Sequence, residues 1–157
     1  MKSYSENYIK QLQRLLTIVN DGKEGYLKAA ADIESPSLKE KFTNFSNDRK
    51  EIANELEAKI TEMGGTATNR DGDTIGLMHR SWLSIKTALT KHDEQAVLET
   101  CRNGDQASLD VYDDILQGTI LESDLKPFIM HQRLKINEAF MELDKLYFYL
   151  FSKSNEF

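Results

Sequence analysis

Apolar residues recur along this chain at spacings of three and four, in four long runs. Leu12, Leu15, Leu16, Val19, Tyr26, Leu27, Ala30 and Ile33 form the first stripe. Leu38, Phe42, Phe45, Ile52, Ala53, Leu56, Ile60 and Met63 form the second. Val97, Leu98, Cys101, Leu109, Tyr112, Ile115 and Leu116 form the third, and Leu125, Ile129, Ile136, Phe140, Leu143, Tyr147 and Leu150 the fourth. This is the period with which an α-helix turns one face to a core. It predicts helices over roughly 4–33, 36–63, 94–117 and 122–151. No stretch alternates with period two, so no strand is expected. "SPSLKE" and "SDLKP" each offer a capping residue and a proline where a helix would begin. In "TKHDEQ", His92 reads as a turn residue beside an N-cap at Asp93.

The breaks at 33–37 and 117–124 are short enough to demand antiparallel hairpins. Between the hairpins lies the glycine-rich break "MGGTATNRDGDT". Ile75, Met78, Trp82, Ile85 and Leu89 follow it at helical spacing and predict a fifth, shorter helix. Two hairpins joined by one long crossover make the ferritin-like form of the four-helix bundle. A weak internal repeat points the same way. At a shift of 82, Leu16 falls on Leu98, Gly22 on Gly104, Leu27 on Leu109 and Ile33 on Ile115. Past the turns, "SPSLKEKF" meets "ESDLKPFI" at a shift of 87. The expected fold is therefore all-α, a ferritin-like four-helix bundle, with residues 1–157 as one domain.

Composition narrows the function classes. A chain of 157 residues suits one domain whose core needs no staple. A net charge of −6 argues against nucleic acid, which calls for a basic face. No apolar run approaches the ~20 residues of a membrane span, so no membrane partner is expected. The opening "MKSYSENYIK" lacks the apolar stretch of a signal peptide. A single cysteine excludes an internal disulfide framework. A cytoplasmic protein is the expectation.

The middle of the bundle carries the candidate chemistry. At about 100° per residue, Lys23 shares a face with Val19, Tyr26 and Ala30, and Asp105 shares one with Cys101 and Tyr112. Arg49 sits among Phe45, Ile52 and Ala53, and Gln132 sits with Ile129 and Ile136. The four polar groups are expected to meet at one level inside an apolar core, with Glu24 and Gln106 at the edge. Ferritin-like oxidases hold two metal ions at that level through two Glu and two Glu-x-x-His motifs. No Glu-x-x-His occurs here: Gly76, Leu89 and Phe128 stand three residues before His79, His92 and His131. A fixed cation at Arg49 would repel a divalent ion. The centre is therefore read as metal-free and without cofactor, with Arg49 paired to Asp105, Glu24 or both, and Lys23 sharing the acid. An atypical metal set of Glu24, Glu55 and Asp105 is the alternative. Gly22, Gly25 and Gly104 cost ~1 kcal/mol each in a helix and are read as room for a large neighbour, Trp82 or Tyr112. Cys101, on a core face, is read as a small apolar filler.

"DGKEGY" (21–26), "EMGG" (62–65), "HRSWLSIK" (79–86) and "LETCRNGD" (98–105) occur in this order. Together they make the chain resemble a family of small bacterial ferritin-like four-helix-bundle proteins known only as a domain of unknown function. The resemblance spans roughly 8–150, and "HRSWLSIK" is its most specific piece. It implies a ferritin-like fold, a link to stress responses in some relatives, and no accepted catalytic residues. It also implies that Asp105 stands where the family often has Glu, a shortening that disfavours metal ligation.

Two surfaces complete the reading. His79, Arg80 and Trp82 on the crossover helix invite either a small-molecule or partner site covered by the indole, or an indole packed across the bundle with His79 hydrogen-bonded to a carboxylate. The aromatic end, with Tyr147, Phe148, Tyr149 and Phe151 on every side of the last helix, is expected to mark an association surface. A homo-oligomer, dimer first, follows. His131 reads as a surface residue. The function expected is a non-enzymatic bundle that self-associates or binds a partner. An atypical metal protein or di-metal oxidase and a binder of small apolar ligands remain as alternatives.

Overall fold

A computed structural model of the chain describes residues 2–68 and 82–152, with side chains from residue 6 onward. Among the described residues five α-helices run in order: α1 Lys2–Asp32, α2 Pro36–Glu62, α3 Ile85–Thr90, α4 Glu94–Gly118 and α5 Leu125–Tyr147. A π-helical segment, Phe148–Ser152, continues α5. No strand occurs among the described residues. None of their helices is long and apolar enough to cross a membrane.

The helix ends show how local chemistry sets these limits. Pro36 opens α2, and the Ser35 hydroxyl accepts from the Leu38 N–H at 3.3 Å. Lys39 donates to the Ala30 carbonyl at 2.7 Å and so ties the start of α2 to the end of α1. Gly64, at φ 89°, ends α2. The Gly65 N–H reaches back to the Ile60 carbonyl and the Gly64 N–H to the Thr61 carbonyl, the double bond of a Schellman end. Asp93 caps α4 by accepting from the Ala96 N–H at 3.0 Å, just after His92 turns the chain at φ 54°.

The last helix departs from the sequence reading at both ends. It starts at Leu125 rather than 122, because Pro127 has no N–H to bond the Ser123 carbonyl, and the Asp124 side chain caps nothing. It changes to π geometry at Phe148, where a helix to 151 is expected. Only Ile85 and Leu89 of the fifth apolar stripe fall within α3, and Trp82 lies buried just before it. Ile75 and Met78 lie outside the described residues.

α1 packs along α2, α4 packs along α5, and α1 meets α4, while α3 rests on α4 and α1. The buried apolar residues fall into two clusters. One runs from Tyr8 to Val19 on α1 and includes Ile52 to Ile60, Leu109 to Ile115 and Ile129. The other holds Tyr26, Phe42, Phe45, Trp82, Leu98, Cys101 and Leu143. Buried polar residues occupy the gap: Asn20 and Asp21 on α1, Ser46 and Arg49 on α2, and Asp105 and Ser108 on α4. Leu27 departs from its stripe: it is 53% exposed, a full 100° step round the helix from buried Tyr26. Its repeat partner Leu109 is buried, so the two halves are not interchangeable there.

Candidate functional site

The polar gap is built around one ion pair. Arg49 Nη2 donates to Asp105 Oδ1 at 2.7 Å, and the two side chains are 1% and 0% exposed. The Tyr26 hydroxyl donates to the other carboxylate oxygen, Oδ2, at 2.6 Å. The guanidinium carbon also lies 5.5 Å from the centre of the Tyr26 ring. Three helices, α1, α2 and α4, therefore converge on one carboxylate. Burial pushes the Asp105 carboxyl up, and Arg49 and the Tyr26 hydroxyl work against that shift. Burial, then the Asp105 charge, raises the Tyr26 phenol far above its usual value. Cys101 lies on the same face of α4, buried, and burial raises its thiol likewise. It behaves as an apolar filler, since reactivity needs the thiolate.

The glycines explain how so much bulk fits. A Cβ at Gly22 would lie 2.8 Å from Arg49 Nη1. A Cβ at Gly25 or at Gly104 would overlap the Trp82 indole, one from α1 and the other from α4. The indole is wedged between two helix backbones, and its ring centre lies 5.0 Å from that of Tyr26, edge to face. The repeat aligns Gly22 with Gly104, but the two make room for different residues. Trp82 Nε1 and Arg49 Nη1 are buried donors with no hydrogen-bond partner among the described residues.

The other expected members of the polar layer are placed less centrally. Lys23 and Glu24 lie at the rim, 18% and 38% exposed at the side chain, with 3.7 Å between Lys23 Nζ and Glu24 Oε1. Sharing a helix face gives direction but not depth. Gln132 is buried and forms a second pair, accepting from the Tyr112 hydroxyl at 2.9 Å, with its amide 3.5 Å from Glu55. Gln106 is exposed and bonds Asp110 on its own helix. The alternative metal set does not assemble: Asp105 is held by Arg49 and Tyr26, Glu24 stands by Lys23, and Glu55 is exposed beside Gln132. Among the described residues no group of three or more His, Cys, Asp and Glu is placed to share an ion.

His79 and Arg80 lie outside the described residues. Trp82 is fully buried between α1 and α4, while the carboxylate partner expected for His79 lies outside the described residues. His92 is exposed, with Nδ1 3.3 Å from Glu34. The aromatic end is divided. Tyr147 turns inward, stacked 4.4 Å from the Arg102 guanidinium carbon, with its hydroxyl donating to Glu99 at 2.6 Å. Phe151 is half-buried against the Tyr147 ring. Phe148 and Tyr149 point out, 54% and 65% exposed. The part of Tyr26 is the one central role that periodicity does not announce. A phenol on a core face requires a partner, and Asp105 is the acid facing it.

The class defined by these features is an all-helical bundle whose centre is closed by an ion pair and a tryptophan. Residues 7–118, well over half of the chain, match the family model "Domain of unknown function (DUF2383)", and the chain belongs to that family. No curated protein matches it.

Proposed function

We propose that this protein is a non-enzymatic ferritin-like bundle, two antiparallel hairpins joined by the crossover, that works through contacts on its surface, self-association above all. The observation that carries this reading is the state of Asp105. Both of its oxygens are engaged, by a guanidinium and a phenol, at the level where ferritin-like oxidases gather carboxylates around metal. A permanent cation in that place repels a divalent ion. The indole wedged at Gly25 and Gly104 fills the space a small apolar ligand would need. The acidic balance and the family resemblance favour a bacterial cytoplasmic setting linked to stress.

Elemental analysis of the purified protein tests the reading. The expected content of iron, manganese and zinc is far below one ion per chain. One tightly held ion per chain that is lost in Asp105→Asn would overturn it.

A further inference from the structure

The outer face of α5 carries an apolar stripe that the other described helices leave half exposed. Met130, Leu134, Met141 and Phe148 are about half exposed, at 52%, 53%, 49% and 54%. At about 100° per residue they fall within a 40° arc of one helix face. On the edge of that arc stand Glu138 and Lys145, both exposed.

We propose that a second copy of this chain covers the stripe, α5 against α5 in antiparallel register, with the two-fold axis at Met141. This names the surface for the self-association proposed above and rests on that reading. In this register Leu134 of each copy meets Phe148 of the other, and the two Met141 side chains meet on the axis. Glu138 then lies beside Lys145 of the second copy, twice over. A parallel pairing would instead carry this edge of the two copies to opposite sides of the seam, so that Glu138 and Lys145 would find no partner in each other. The pattern is thus self-complementary in one direction only, as a two-fold contact requires. The overlap extends from Met130 to Ser152, roughly 34 Å of helix at ~1.5 Å per residue. With ~200 Å² for a large side chain, the half-exposed stripe offers about 400 Å² per copy. A stable pair buries ~800 Å² per copy. The stripe supplies about half of that area, and the flanking charged residues must supply the rest, so their signs decide the pairing.

Sedimentation velocity of the full chain, run over a range of concentrations, tests this. The wild type is expected to dimerise. Glu138→Lys or Lys145→Glu alone should raise the dimer dissociation constant by at least about tenfold, and the two together should restore it. Leu134→Glu should leave a monomer with an unchanged circular dichroism spectrum. A dimer indifferent to these changes would overturn the assigned face while leaving self-association standing. A monomer at every concentration would overturn both.

Discussion

At the scale of single residues, the Arg49–Asp105 pair is worth more for what its loss would leave than for its net attraction. Removing one partner of a buried pair strands the other charge, at a cost of about 3–5 kcal/mol. Arg49→Met should therefore lower unfolding free energy by that amount in urea denaturation. Adding Asp105→Asn should recover most of the loss, because the neutral amide oxygen still accepts from Tyr26. That Arg49 and Asp105 face inward was legible in the sequence, since a polar residue on an apolar stripe must find a partner. Which acid Arg49 chooses was not legible. Glu24 and Asp105 both lie within one helix step of the face, and only depth separates them.

At the scale of elements, the helices were read from their apolar period and most of their ends from caps. Ser35, Pro36 and Asp93 sit where the helices start. The missing cap at the start of the last helix has a physical cause. A capping side chain works only from a non-helical backbone, and sequence does not report that backbone angle. Nor did sequence reveal which glycines meet the indole, because that depends on how close α1 and α4 approach. Gly25→Ala and Gly104→Ala should each destabilise the protein by about 1–3 kcal/mol, since the new methyl forces overpacking against Trp82. Gly118→Ala meets nothing within 4 Å and should be neutral or stabilising by up to about 1 kcal/mol. Thermal denaturation of the three variants side by side checks the contrast. Equal effects at all three would remove the wedge from the account.

At the scale of the whole molecule, three groups that ionise in alkali are completely sealed among the described residues: Tyr26, Cys101 and Tyr112. Burial raises all three in the folded state. The sign follows from proton counting. Above the unfolded values of about 8.5 for the thiol and about 10 for the phenols, the unfolded chain gives up protons that the folded chain retains. Stability is therefore fully present below those values and falls as pH rises past them, by up to about 1.4 kcal/mol per pH unit for each group. Denaturation midpoints should hold steady from pH 7 to about 8 and drop with growing slope towards about pH 11. Tyr112→Phe should flatten the final part of that slope. The all-helical class was open to sequence reading because it rests on periodicity alone. The division of the core into two apolar clusters was not, because it depends on the relative heights of four helices.

The sealed ion pair also constrains how this bundle can change over generations. Replacing the cation alone leaves an orphaned acid, and removing the acid alone leaves an orphaned cation, so each single step is penalised in the cell's steady-state supply of folded protein. Recruiting an ion to the centre would take several coordinated replacements at once. A sealed salt link is in that sense a ratchet, and evolutionary novelty is left to the molecule's exterior.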